Sequence, residues 1–337
     1  MTEENGGNEK YFTQKIEKKF KNCSDLGINT VFVQVRPFAD AFYKSEIFPF
    51  SSYLTGTQGK DPGYDPLSII VEQAHKFGLS VHAWINPFRI SFSTDFSKLS
   101  ENNIAVKWMK SKDSETRNRI VVLDNGIYFS PGSEQVQKLI IDGAKEIVKK
   151  YDVDGIHIDD YFYPSTDKKT DKFFYDKYIA KGGKDKLEKW RLNTITSLVQ
   201  GLYDGIKSVN KKCIFSISPA GNIENNYNEQ FADVKLWCSE KGYCDWIIPQ
   251  VYYGFNNNFL PFDKACNQWS NIKTCDEVKI IYGLAAYRVN GKDEDEEWQC
   301  GKDIIYKQFN FVRSQNNYDG IALFSYNSIF DEKSTLK

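Results

Sequence analysis

The chain is 337 residues long, and its 44 Lys and Arg against 45 Asp and Glu leave a net charge of −1. That balance excludes a strong electrostatic case for nucleic acid, which needs clustered excess cation, and no apolar run approaches the roughly 18 residues of a membrane span. Seven cysteines without a CxxC pair, Cys238 and Cys244 being the closest two, give neither a zinc spacing nor a disulfide framework, and three histidines argue against His-rich metal chemistry.

The acidic, polar start MTEENGGNEK does not read as a signal peptide. Phe12, Ile16, Phe20 and Cys23 then form a helical stripe that stops at Gly27. The first β-rich segment is Thr30–Arg36, followed by a long connection from Pro37 to Asp65. Pro66 opens a helix running to Phe77, with Gly78 at its end. Ser80–Asn86 is the second strand, and the stretch from Pro87 to Ser133 holds a hairpin, IVVLDNGIYF, expected to turn at Asn125-Gly126. Val136, Ile140, Gly143 and Ile147 mark the next helix, and Asp154–Asp160 the third strand. Leu187, Trp190, Thr194, Leu198, Leu202, Ile206 and Val209 line one face of a long helix. Strands at Cys213–Pro219, Cys244–Tyr252, Val278–Ala285 and Gly320–Tyr326 complete the series.

Strand and helix in repeated alternation predict an α/β fold with a parallel sheet, and seven units predict a (β/α)8 TIM-type barrel. A doubly wound sheet fits less well, because no GxGxxG turn follows a strand. The chain begins with a helix, so the first barrel strand is expected to be missing. Residues 8–332 read as one domain, with 1–7 and 333–337 as flexible termini. The two long strand-to-helix loops read as walls of a cleft.

Side chains alternate along a strand, and one set faces the lumen. The polar set is Gln34 and Arg36 in the first segment, His82, Trp84 and Asn86 in the second, and His157 and Asp159 in the third. Ser216 and Ser218 follow in the fourth, and Gln250 and Tyr252 in the fifth. Burying so many polar groups is costly unless they pair with one another or with a ligand. The sharpest signal is DGIHIDDYFYP, where Asp159 and Asp160 end a buried strand and Tyr161, Phe162 and Tyr163 follow. Two carboxylates divide acid and base work when their environments push their pKa values apart. Phe38, Tyr43, Trp84, Phe88, Tyr252, Tyr253 and Phe255 sit in the same loops, and sugar rings stack on aromatic faces.

The strings QVRPFADAFYKSEIFPFSSYLTGTQGKDPGYDPL, HAWINPFR, YDVDGIHIDDYFYP, SISPAGN, IIPQVYYGF and ALFSY, spread from about Phe12 to Phe330, resemble the bacterial glycosyl-hydrolase-like family 10 domain. The resemblance implies a TIM-barrel glycoside hydrolase acting on a bacterial polysaccharide such as the peptidoglycan glycan of the cell wall. It also implies an extracytoplasmic or cell-surface location. Family members carry a strand before the first helix, usually behind a signal or lipoprotein segment, and neither is seen in this sequence.

Asp159 and Asp160 are therefore the expected catalytic carboxylates. Neighbours in sequence are poorly placed to flank a bond from opposite faces, which favours a substrate-assisted route through an N-acetyl group. In that route Asp159 orients the acetamido group and Asp160 acts as general acid, then base. In the alternative, Asp159 is nucleophile or base and Asp40 or Glu224 supplies the second carboxylate. Arg36, Asp40, Tyr43, His82, Trp84, Asn86, Arg89, His157, Tyr161, Tyr163, Ser218, Gln250 and Tyr252 are the expected sugar-binding set. No cofactor, metal or protein partner is expected; the competing readings are a non-catalytic glycan-binding barrel and a metal-dependent hydrolase using His82, His157 and Asp159.

Overall fold

A computed structural model describes residues 8–291, 296–300 and 303–330; the expected termini 1–7 and 333–337 lie outside them. The strands, in chain order, are β1 (Thr30–Arg36), β2 (Ser80–Ile85), β3 (Arg89–Ser91), β4 (Ile120–Leu123), β5 (Gly126–Phe129), β6 (Gly155–Ile158), β7 (Ile214–Ile217), β8 (Trp246–Ile247), β9 (Lys279–Leu284) and β10 (Gly320–Leu323). Every one of the seven expected parallel strands is present, and helices alternate with them. No strand precedes the helix Glu9–Asp25 among the described residues.

Two compact units make up the chain, residues 1–215 and 216–337. In the first, β1, β2 and β6 pair in parallel, while β3, β5 and β4 form a small antiparallel sheet inserted after β2. In the second, β7, β8, β9 and β10 run parallel in that order. The ladders stop short of the expected C-terminal ends. β6 ends at Ile158 rather than Asp160, and β8 holds two residues where nine were expected. β1 alone reaches its expected end, with Arg36 still paired to Ile85, whereas Asn86, Asp159 and Ser218 lie just past their strands and begin the loops.

Helix boundaries follow local chemistry. Asp65 Oδ1 accepts from the amides of Leu67 and Ser68, and Pro66 takes the first position, where its missing N–H costs nothing. Gly78, at φ 71°, turns the chain out of that helix. Ser133 caps Glu134–Lys150 in the same manner. Gly201 and Gly205 of helix Leu187–Val209 admit Ile141 of helix Glu134–Lys150, whose methyls would meet added Cβ atoms at 2.7 and 2.9 Å. None of the described helices is long and apolar enough to cross a membrane.

The hairpin forms, one residue earlier than expected. Leu123 pairs with Gly126, so Asp124 and Asn125 are the loop. Gly126 instead opens the returning strand at φ 145°, where a Cβ would lie 2.2 Å from the Ser91 carbonyl oxygen of β3. Its glycine serves close backbone approach, not the turn itself.

A bulge in β1 overturns the expected placement of Arg36. Gln34 pairs with Trp84 but Arg36 pairs with Ile85, so β1 advances two residues against one of β2. That extra residue reverses the alternation. The Arg36 guanidinium therefore lies 4.5 Å from the Phe48 ring centre, and a Cβ on Gly143 would sit 2.2 Å from its Nη1. Arg36 is buried against helix Glu134–Lys150, away from the face that Gln34 shares. Burial depresses its pKa, and Tyr43 and Glu146 counter that effect. Gly143→Ala is accordingly expected to destabilise the fold by about 1–3 kcal/mol, the usual cost of overpacking, despite Ala's better helix propensity. Urea unfolding reads this directly, and an unchanged or raised midpoint would refute the packing role.

Candidate active site

The register of β1, β2 and β6 stacks side chains in layers. Phe32, His82 and Gly155 share the lower layer, and Gln34, Trp84 and His157 the next. A Cβ on Gly155 would lie 2.7 Å from the His82 ring, so glycine makes room for the imidazole. Phe32 meets His82 at 5.0 Å and His157 at 4.7 Å between ring centres, and Trp84 meets His157 edge-on at 5.9 Å. Both imidazoles are buried and held neutral: burial pushes His82 down to about 4 and His157 well below its usual value. They form an aromatic floor. Among the described residues no three His, Cys, Asp or Glu side chains are placed to hold a metal ion.

Two residues beyond His157 on the same face comes Asp159, just past the end of β6. It is 5 % exposed. Burial chiefly, and then the charge of Asp160, push its carboxyl up to about 7; the Tyr161 amide, 3.4 Å from Oδ1, and Arg89 act in the opposite direction without prevailing. Asp160 is half-buried. Asn86 holds the corresponding place just past β2, and its Oδ1 accepts the Arg89 amide at 3.3 Å. Asn86 Nδ2 and Arg89 Nε are buried donors with no hydrogen-bond partner. Such groups are rare in folded proteins, where an ordered water or a ligand satisfies them.

Arg89 sits between two rings, 3.9 Å from the centre of Tyr161 and 4.5 Å from that of Phe92. Both rings are largely exposed, Tyr161 by 51 % and Phe92 by 62 %. Phe92 continues edge-on to Phe38 at 5.1 Å, and Phe38 stacks on Tyr53 at 6.1 Å. A wall of aromatic faces thus begins beside Asp159, stiffened by cation–π contact with Arg89. Phe92 was not singled out from the sequence, and its place just past the inserted strand β3 is what brings it here.

Other expected site residues have structural partners. Tyr43 is fully buried against Tyr151, 5.7 Å between ring centres, on the Arg36 side. Asp40 accepts from Gln58 Nε2 at 3.0 Å, and Gln58 Oε1 accepts from the Ser100 amide and Asn103 Nδ2, tying two loops together. Burial pushes the Asp40 carboxyl up to about 6. The Tyr163 hydroxyl donates to Asp171, whose carboxylate also takes a bidentate pair from Arg191 Nε and Nη2 at 2.7 and 2.8 Å. This buried cluster anchors the loop after β6 to helix Leu187–Val209. Phe88 is core.

In the second unit, Ser218 Oγ donates to the Ile248 carbonyl at 2.8 Å and Gln250 Nε2 to the Ser218 carbonyl at 2.9 Å. The Gln250 backbone also forms bridges with Ala220 and Gly283, and both side chains tie strand ends together. Tyr252 stacks on Phe324 at 6.3 Å and meets Tyr287 edge-on at 5.9 Å. Tyr287 and Phe324 are each nearly half exposed, forming a second aromatic platform at strand ends. Sequence reading missed both, although ALFSY placed Phe324 at such an end. Tyr253 and Phe255 are tied to their own unit, the former through Gln308 and the latter through Phe262. Glu224 is exposed in the first turn of helix Ile223–Asn228.

A family model described as glycosyl hydrolase-like 10 matches residues 5–300. Glycosyl hydrolase YngK of Bacillus subtilis is 35 % identical over 314 residues, 87 % of this chain and 59 % of its own length. Glycosyl hydrolase DigH of Escherichia coli is 31 % identical over 331 residues, 92 % of this chain and 75 % of its own. The chain therefore spans only part of these relatives. Among solved structures, the PgaB glycoside hydrolase domain from Bordetella bronchiseptica superposes with a TM-score of 0.65 at 14 % identity, covering 97 % of this chain and 92 % of that one. The shared fold is of the TIM-barrel type expected from the strand count.

Proposed function

Because the chain belongs to the glycosyl hydrolase-like 10 family, we propose that it hydrolyses a bacterial polysaccharide, the N-acetylated glycan of peptidoglycan in particular, with Asp159 and Asp160 as the catalytic pair. The observation that carries this reading is the environment of Asp159: a carboxyl buried at a strand end, raised to about 7, next to a second carboxylate and exposed rings. A group so placed is about half protonated at pH 7 and mostly protonated below it, and the protonated form is the state needed to protonate a leaving oxygen.

In the proposed reaction the acetamido oxygen of the bound sugar attacks its own anomeric carbon. The bond to the leaving oxygen breaks, and that oxygen takes the proton of one carboxyl. The other carboxylate accepts the acetamido N–H and offsets the positive charge of the cyclic intermediate. Water then opens the ring, returning a proton to the first carboxylate. The resting proton lies on Asp159, with Asp160 as the neighbouring charge. That favours Asp159 as donor and Asp160 as acetamido partner, the reverse of the division expected from sequence. Asn86 and Arg89 offer their unpaired donors to sugar hydroxyls, and Tyr161 and Phe92 offer ring faces. Asp40 and Glu224 are weaker second carboxylates, the one committed to a loop network and the other exposed in the second unit.

Incubation with purified glycan strands, with and without peptide stems, followed by mass analysis, tests the reading. Hydrolysed N-acetylated fragments are expected, and intact strands after long incubation would favour a glycan-binding barrel instead. Activity is expected to fall as pH rises through about 7, where Asp159 loses its proton. A kcat/KM profile flat from pH 5 to 9 would contradict the donor role.

A further inference from the structure

The aromatic wall beside Asp159 is built from two loops. Phe92, 62 % exposed, belongs to the insertion after β2, and the half-buried Tyr53 to the long loop after β1. Phe38 is the joint between them. Buried itself, it meets Phe92 edge-on at 5.1 Å and stacks on Tyr53 at 6.1 Å between ring centres. The spacing of the two outer rings therefore depends on how the loops are held against each other.

One side chain spans that junction. Gln58, in the loop after β1, donates from Nε2 to Asp40 Oδ2 of its own loop at 3.0 Å. Its Oε1 accepts from the Ser100 amide at 2.9 Å and from Asn103 Nδ2 at 3.1 Å, both in the insertion. Asn103 is fully buried, and its Nδ2 also donates to the carbonyl of Ala39, the residue after Phe38, at 3.0 Å. Gly59 shows how near the loops run: a Cβ there would lie 2.8 Å from Ser100 Oγ. The two ends of the Gln58 amide are used in opposite senses, the oxygen toward donors of one loop and the nitrogen toward a carboxylate of the other. Asp40 is buried, so water does not compete for its bond.

We propose that Gln58 is a positioning residue for glycan binding: it locks the loop after β1 to the insertion after β2, and so holds Tyr53, Phe38 and Phe92 as one preformed face for sugar rings beyond the one that is cut. The inference rests on the glycan reading above and deepens it, because it makes the protein selective for strands over single glycosides. A preformed face binds without the ordering cost of loose loops. Binding gained equally in the ground and transition states lowers KM and leaves kcat alone.

The test is steady-state kinetics of the full chain on an N-acetylated glycan strand and on an aryl glycoside of the same sugar. Wild type is compared with Gln58→Ala, with Gln58→Glu and with an Asp40→Asn, Gln58→Glu double variant. Gln58→Ala is expected to raise KM for the strand about tenfold, as loosened side chains must be ordered on binding, with kcat and the aryl glycoside KM unchanged. Gln58→Glu sets two carboxylates against each other and should raise the strand KM likewise. Adding Asp40→Asn returns a donor to that contact at the wild-type net charge, and the strand KM should return with it. Partial unfolding would lower apparent kcat on both substrates and leave KM alone, so KM reads the positioning role. An unchanged strand KM in Gln58→Ala, or no recovery in the double variant, would overturn the proposal and leave the glycan reading standing. A collapse of kcat in the double variant would place Asp40 among the reacting groups and overturn it as well. No cleavage of either substrate by the wild type would overturn both readings.

Discussion

Asp159→Asn is expected to slow glycan cleavage by about 10²–10⁴-fold, the usual contribution of a positioned acid or base, and at the same time to stabilise the protein above neutral pH. The two effects share one cause. In the fold Asp159 titrates near 7, whereas in the unfolded chain it titrates at its ordinary value near 3.9. Below about pH 4 the carboxyl is protonated in both states and contributes no pH dependence. Between about 4 and 7 the unfolded chain has released the proton and the folded one has not. The folded state then binds more protons, so stability falls as pH rises. Above 7 the full deficit is present, at most about 4 kcal/mol for a carboxyl raised from near 3.9 to about 7. Asparagine has no charge to bury and keeps an oxygen for the Tyr161 amide. The variant should therefore match wild type near pH 4 and exceed it by about 2–4 kcal/mol at pH 8. Chemical denaturation at the two pH values measures it. A variant less stable than wild type at pH 8 would mean that the carboxylate is satisfied in the fold, and the case for a stored proton would fail.

Such a site breaks the rule that buried charge is avoided, and that breach is what made it visible in the sequence. Ile156 and Ile158 alternate with His157 and Asp159 without interruption, so the face of Asp159 follows from the period of the strand. The same logic placed seven strands and the two successive layers that hold His82 and Trp84. It failed for Arg36, because a bulge in β1 inserts one residue and sends the next side chain to the opposite face. Nothing in TVFVQVR marks that slip; it appears only in the register with β2. Tyr43 and Tyr163 illustrate a second limit. Each lies in an aromatic loop of the right composition, but Tyr151 claims the first, and the Asp171–Arg191 pair the second, from 8 to 108 residues away. Phe92 shows the converse: an ordinary phenylalanine in sequence becomes a platform because the turn after β3 sets it beside Arg89. Period-two reasoning thus recovers the floor and the carboxylate, whereas the walls depend on loops whose partners are distant in sequence.

Removing the N-acetyl group from the substrate should slow cleavage by at least about 10³-fold. An intramolecular nucleophile works at an effective concentration of roughly 10⁵–10⁸ M. Asp40 is held by Gln58, and the buried donors nearby, Asn86 Nδ2 and Arg89 Nε, are not nucleophiles. Free-amine and N-acetylated strands of equal length, assayed in parallel, give the ratio. A ratio near one would dismiss the acetamido route and return the second carboxylate to a loop. A further comparison separates the roles within the pair. An aryl glycoside of the N-acetylated sugar has a leaving group that departs without a proton. The variant that lacks the proton donor should recover most of its turnover on that substrate, and the variant that lacks the acetamido partner should not. From the proton resting on Asp159, recovery is expected for Asp159→Asn and not for Asp160→Asn. The opposite pattern would assign the donor to Asp160, meaning that substrate binding moves the proton from the buried carboxyl to the half-buried one. Equal recovery in both would show that neither acts as the acid, and the carboxylate pair would then serve binding alone.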